Sequence, residues 1–218
     1  MKTPVNASTL KQHFTYSWWK YLLALAAGIF LVDLIYTVTA PKVPEDKKIE
    51  FYVYGYANTE SLNAYMEKVR QEQFPEQQEM RSVSLVPDDT YGPMQLVTYL
   101  AAREGDLYLL PRDQFLSLSA NDAFMYLEND EELMAFFTDA GANLKRGWRT
   151  SESGETHLVG IPVSFLPGLS SYAYAEDGFL CLLAAGGNEE NTLKFLRILC
   201  RDMITPPAEE EQQSQQQQ

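Results

Sequence analysis

The chain has 218 residues, 45% of them hydrophobic, and a formal net charge of −13 at pH 7. So acidic a surface repels phosphates, which argues against nucleic acid and anionic lipid heads as partners. Two cysteines make no disulfide scaffold, so the fold must rest on a hydrophobic core.

Residues 1–17 form a short head. Residues 18–39, WWKYLLALAAGIFLVDLIYTVT, then carry only Lys20 and Asp33 as charges. About 20 apolar residues in a helix cross the hydrocarbon core of a bilayer. A cleaved signal peptide is the rival reading, with its basic start and small residues at Val38 and Ala40. The run is longer than a signal h-region, and Pro41 would follow the cut, where its fixed ring suits a protease poorly. The expectation is an uncleaved single-span anchor. Lys2, Lys11 and Lys20 precede the span and Lys42, Lys47 and Lys48 follow it, so the basic residues do not orient it. The charged amino terminus and the Trp18, Trp19, Tyr21 cluster at that end favour a cytoplasmic N-terminus and an extracytoplasmic main domain. Asp33 reads as lying near the outer interface, with a contact to a partner helix as the alternative.

Residues 40–48, APKVPEDKK, form a stalk, and 49–205 form one α/β domain. Residues 49–56 (IEFYVYGY) predict a strand, and 59–74 a helix with Leu62, Tyr65, Met66 and Val69 inward and Asn58 or Thr59 as N-cap. Residues 80–86 predict a second strand, closed by Pro87-Asp88-Asp89. Residues 90–104 predict a second helix with Met94, Val97, Leu100 and Ala101 inward. The apolar run 106–110 predicts a strand covered on both faces, followed by helices over 111–119 and 131–140. Residues 157–163 predict a strand, and 172–185 one or two more. Asn188 caps a last helix over 189–203. Cys181 and Cys200 fall at core positions, and in an oxidising compartment they could pair. Residues 206–218, rich in Gln and Glu, predict a disordered tail.

The β-α-β-α-β opening predicts a doubly wound, mostly parallel sheet with helices on both faces. Ligands of such sheets bind beyond the carboxyl ends of the strands. That rule selects Tyr56, Asn58, Asp88, Asp89, Tyr91, Arg112 and Asp113 as candidate binding residues. Simpler roles compete for several of them: Asp88 and Asp89 as a turn and helix cap, Arg112 as a solvated helix-start residue.

Residues 105–128, GDLYLLPRDQFLSLSANDAFMYLE, with Asp122-Ala123-Phe124 near their end, resemble extracellular solute-binding proteins of ABC transporters. GIPVS at 160–164 looks like the strand by which such proteins cross to their second lobe, and NTLKFLRIL at 191–199 like the helix after the return strand. The resemblance implies a periplasmic-binding-protein-like fold and a small-molecule solute. Only residues 165–178 separate GIPVS from the next strand, so the fold would be reduced to one lobe. Closure of two lobes on a ligand would then not be open to it.

There is no P-loop, GxGxxG or HExxH, and neither the cysteines nor the two histidines make a zinc site. His157 could be joined on paper to a Ser and an Asp, but no spacing supports a triad. The expectation is therefore a membrane-anchored, extracytoplasmic binding or interaction module without catalysis, metal or cofactor. Its partner would be an envelope protein, a second copy or a small solute. A sugar or peptide receptor of an ABC transport system is the alternative, and a cell-envelope hydrolase ranks last.

Overall fold

The computed structural model describes residues 7–39, 43–88, 91–121, 123–151, 153–174, 177–184 and 187–206. Asp89, Asp122, part of the expected stalk (40–42) and the tail from 207 lie outside the described residues. The chain divides into two units, Met1–Lys42 and Val43–Gln218.

The first unit holds α1 (Ala7–Thr39). Its segment Trp18–Thr37 is 20 residues long, with mean hydropathy 1.6 and none of it buried within the chain. At 1.5 Å per residue it matches the thickness of a bilayer core. A membrane span and a signal sequence share this pattern. Thr37 and Thr39 return their hydroxyl protons to the carbonyls of Asp33 (2.9 Å) and Ile35 (2.7 Å), so neither leaves a bare polar group.

The second unit is α/β. It opens with β1 (Lys48–Tyr54), α2 (Thr59–Gln73), β2 (Glu79–Leu85), α3 (Tyr91–Ala102), β3 (Leu107–Pro111) and α4 (Arg112–Leu118). There follow α5 (Glu131–Asp139), the hairpin β4 (Trp148–Thr150) and β5 (Thr156–Leu158), β6 (Ile161–Pro162), β7 (Gly178–Leu182) and α6 (Glu189–Met203). The main sheet has the order β2-β1-β3-β7-β6. Strand β1 runs parallel to β2 and β3, whereas β7 is antiparallel to both β3 and β6. The sheet is thus mixed. Between β6 and β7, the described residues hold the short 3-10 turns Val163–Phe165 and Pro167–Ser171. A parallel return is usually made by a crossover helix; here β7 re-enters beside β6 in the opposite direction.

Period-two alternation sorts each central strand onto two cores. Ile49, Phe51 and Val53 of β1, with Leu107 and Leu109 of β3, pack under α2, α5 and α6. Tyr52, Tyr54, Tyr108 and Leu110 face the other way, toward Leu96 of α3 and Phe115 of α4. Cys181 belongs to this second core and Cys200 to the first, so the sheet lies between the two thiols and both are free. Each is fully buried, which pushes its pKa up and leaves it an inert apolar group.

Two expectations need correction. In α3 the inward residues are Gly92 and Leu96, while Met94 and Val97 are 66% and 54% exposed and Ala101 is exposed as well. Gly92 decides this rotation. A Cβ there would lie 2.5 Å from the Tyr54 hydroxyl and 2.9 Å from the Val86 carbonyl, so the glycine turns its bare side to the sheet. The helix is apolar almost all round, and periodicity alone could not choose its buried face. The predicted strand over 157–163 is two strands. It breaks at Gly160, where the chain crosses Gly147 so closely that a Cβ on Gly147 would meet the Gly160 carbonyl at 1.8 Å.

Caps and buried polar ties fix the helices. Asn58 Oδ1 accepts from Ser61 N (3.1 Å) at the start of α2. Asp130 does the same for Leu133 N (2.7 Å) at α5; though burial opposes it, Arg197 of α6 and that N–H hold its carboxyl below the usual range. Asn188 occupies the N-cap position of α6 but sends its amide to the Lys48 carbonyl (2.7 Å) and Gln77 (3.1 Å) rather than capping the helix.

At the amino edge of the sheet, buried Glu50 takes Arg81 (2.8 Å) and Lys48 (3.3 Å). Asp106 beside it accepts the Glu50 N–H at 2.8 Å. Burial pushes the Asp106 carboxyl up to about 7; the Glu50 N–H opposes the shift and the Glu50 charge adds to it. Unfolded, the group titrates near 4. Its contribution to stability is therefore full below about pH 4 and is lost as pH rises toward 7, a penalty of a few kcal/mol at most. Asp106→Asn keeps the acceptor without the charge. In urea titrations of the full chain it is expected to unfold at higher denaturant than wild type at pH 8, with the gap closing by pH 4. Equal pH slopes for the two proteins would refute the assignment.

Candidate functional site

Strands β1, β2 and β3 end at one edge, and β7, running the other way, begins there. The chain leaves β1 toward β2 on one side and returns to β3 on the other. Divergent connections of this kind leave a crevice beyond the carboxyl ends. Here it is an open cleft of about 380 Å³. Tyr54, Gly55 and Tyr56 line it from the end of β1, and Pro87 from beyond β2. Pro111 and Arg112 come from the β3–α4 junction, and Tyr174, Asp177 and Gly178 from the approach to β7.

The tyrosines are set by local backbone. Gly55 has φ +148°, a conformation that side chains disfavour, and its N–H donates to the Leu85 carbonyl at 3.0 Å. The turn directs residues 56–58 along 172–174: Tyr174 N donates to Tyr56 O (3.0 Å) and Asn58 N to Tyr172 O (2.8 Å). Ala57 and Ala173 form the bridge between them, and Ala173 is buried. Alternation then turns Tyr56 and Tyr174 outward, 73% and 71% exposed.

Of the residues expected at this edge, Tyr56 and Arg112 line the cleft. Asn58 is spent on capping α2. Asp88 Oδ1 accepts from Tyr91 N at 2.7 Å, the helix-start role that competed with binding. Tyr91, 74% exposed, and Asp113, exposed in the first turn of α4, stand on the same edge but not on the cleft wall. Asp89 lies outside the described residues. Sequence reasoning missed Tyr54, Tyr174 and Asp177. The alternation Tyr172-Ala173-Tyr174 was a usable signal, but only the reversed direction of β7 brings it here.

Two more arginines stand beside the cleft. Arg146 pairs with Asp177 and lies over the Phe179 ring at 5.4 Å. Arg149 lies over the Phe115 ring at 5.0 Å, and the two rings stack at 4.1 Å. Burial lowers the Arg149 pKa, and the charges of Arg112 and Arg146 lower it further.

Elsewhere, His157 Nδ1 meets Glu128 Oε1 at 2.7 Å, and its ring stacks on Tyr126 at 3.7 Å. The second ring nitrogen is buried without a hydrogen-bond partner, so no hydroxyl or thiol is set on it. Among the described residues no group of three or more His, Cys, Asp or Glu is placed to hold a metal ion.

No protein-family model matches the chain, and no curated protein matches it. Among solved structures it is similar to the extracellular solute-binding protein family 1 from Alicyclobacillus acidocaldarius subsp. acidocaldarius DSM 446. Identity is 18% and the TM-score 0.37, over 56% of this chain and 28% of that one. The likeness is a distant resemblance of fold, and the chain spans little more than a quarter of that protein.

Exposure predicts how the tyrosines respond to truncation. Tyr56→Ala and Tyr91→Ala are each expected to change unfolding free energy by less than about 0.5 kcal/mol. Leu109→Ala, at a position 1% exposed, is expected to lose about 2–5 kcal/mol. Denaturant midpoints of the three variants make the comparison. Unfolding caused by either tyrosine variant would move that residue from the surface to the core.

Proposed function

We propose that the chain is a membrane-anchored binding module, a one-lobe relative of the solute-binding fold with no catalytic role. Its ligand would occupy the cleft at the carboxyl edge. The observation that carries this reading is the cleft itself: about 380 Å³, at the divergence of the β1 and β3 connections, walled by tyrosines with a few polar groups. That volume lies in the range of ligand pockets, and aromatic faces beside sparse polar groups suit a sugar ring or a short peptide. Tyrosine is also favoured in protein interfaces, so an envelope protein or a second copy could complete the open side. The same volume suits a second reading, a sugar or peptide receptor of an ABC transport system. We rank it below the first, because the main sheet is the single lobe of the described residues and offers no hinge to close.

The anchor reading rests on α1, with the head cytoplasmic and the α/β unit extracytoplasmic. Full-length protein is expected to remain in the membrane pellet after a carbonate wash. A soluble mature chain beginning at Pro41 would overturn the anchor.

The cleft reading is tested by titrating the full chain, in nanodiscs, with glucose oligosaccharides and a dipeptide panel. Saturation-transfer NMR is expected to find binders, and Tyr56→Ala or Tyr174→Ala to weaken them at least tenfold, roughly 1.4 kcal/mol. Binders unaffected by both variants would place the site elsewhere.

A further inference from the structure

The chain carries 30 acidic residues against 17 Lys and Arg, yet beside the cleft stand three guanidiniums, Arg112, Arg146 and Arg149, while Asp177 is the one carboxylate among the described residues that lines it. Arg112, on the cleft wall, makes no ion pair or hydrogen bond among the described residues. Arg149 gives one proton to the Trp148 carbonyl (2.9 Å), while its Nε is buried with no hydrogen-bond partner. Such an orphaned donor destabilises a fold, and neighbouring like charges add to the strain. A chain so rich in Asp and Glu had ample means to neutralise the cluster.

The cluster is also built rather than loose. Phe115 and Phe179 stack at 4.1 Å, interplanar angle 14°, and hold Arg149 and Arg146 over their faces. A cation–π contact positions a guanidinium without consuming its N–H donors. The close crossing of Gly147 on Gly160 pins the backbone between the two arginines, since a side chain on Gly147 would collide at 1.8 Å. Arg112 is on the cleft wall with Asp177, the partner of Arg146, and Arg149 stands behind them over Phe115, whose ring stacks on the Phe179 that carries Arg146.

We infer that the ligand of this cleft presents an anionic oxygen group, a carboxylate or a phosphoryl, which Arg112, Arg146 and Arg149 receive while the tyrosines hold its body. The inference rests on the cleft being the binding site. Planar guanidiniums pair with either oxyanion through two parallel N–H bonds, a geometry that lysine does not reproduce.

The test uses the full chain in nanodiscs of zwitterionic lipid. Inorganic phosphate and acetate are titrated separately, at ionic strength held constant with sodium chloride. The expected result is a saturable rise in Tm of about 3 °C over chloride, given by at least one of the two anions. The larger response identifies the class of oxyanion. Arg112→Gln changes an exposed residue and should fold normally while losing most of the shift; Arg149→Lys should lose it too although charge is kept. Lys145→Gln, a neighbouring cation outside the cluster, should keep it. No saturable shift with either anion, or a shift undiminished in Arg112→Gln and Arg149→Lys, overturns the inference. The two readings fail differently. Neutral sugars or dipeptides that bind and respond to Tyr56→Ala, without any anion shift, leave the cleft standing and remove the oxyanion. An anion shift lost in Arg112→Gln and Arg149→Lys, with no panel binder affected by Tyr56→Ala or Tyr174→Ala, removes the cleft reading and with it the assignment of the oxyanion to a cleft ligand.

Discussion

Five backbone pairings, from Leu107↔Leu182 to Pro111↔Gly178, join β3 to β7 in antiparallel register, and the whole edge of the sheet depends on them. Had β7 run parallel to β3, its amino end would lie at the far side of the sheet. Reversed, it delivers Tyr174, Asp177 and Gly178 to the edge where β1 and β3 finish. The same pairing sets Phe179 opposite Leu110, so that its ring meets Phe115 of α4 and the stacked pair can carry two guanidiniums. Part of the wall and the aromatic support at the cleft share one cause, the antiparallel entry of β7.

At the amino edge Glu50 is paired with Arg81 and Lys48, while Asp106 keeps one backbone N–H and bears the cost of its burial. Gln77 and Asn188 close that end with buried amide bonds that tie α6 to the start of β1. Pairing there resists the penalty of buried polar groups and fixes the register of β1. Beside the cleft, Arg112, Arg146 and Arg149 stand with Asp177 as the one carboxylate among the described lining residues, and the buried Nε of Arg149 goes unused. On the proposed reading, a local excess of guanidiniums in a chain of opposite net charge is where a ligand would complete the hydrogen bonding.

Much of the fold was legible in the sequence because its parts carry strong periodic signals. The succession β1-α2-β2-α3-β3 follows from aromatic and β-branched runs separated by helical spacing and proline stops, and α6 is found at its observed bounds from its acidic first turn and apolar stripe. The direction of β7 was not legible, since a short strand looks the same in either sense and its pairing is settled by turn geometry. The rotation of α3 was hidden for another reason: a helix without a polar face takes its orientation from Gly92 against Tyr54. The hairpin of β4 and β5 was missed because three-residue strands carry too little pattern. At the site, Tyr56 and Arg112 could be found from the rule of carboxyl ends. Tyr174 and Asp177 arrive only through the antiparallel entry of β7, and Arg146 and Arg149 through the crossing of Gly147 on Gly160, and none of the four carries a motif.

An open cleft on one lobe faces a physical difficulty that the arginines address. It leaves more of a ligand in water than the enclosed pockets that bury 70–90% of a small molecule, so apolar contact with the tyrosines gives limited affinity and little orientation. Oriented guanidiniums supply both. Their donors are positioned before the ligand arrives, which reduces the ordering to be done on binding. The desolvated Nε of Arg149 gains a partner it otherwise lacks. Tethering by α1, on the proposed reading, would confine the module beside its membrane partners and raise their effective concentration, so a modest intrinsic affinity would suffice. On the proposed reading, such a cleft of moderate grip would suit a site completed by a neighbour, and its selectivity would come from charge and aromatic stacking rather than from enclosure.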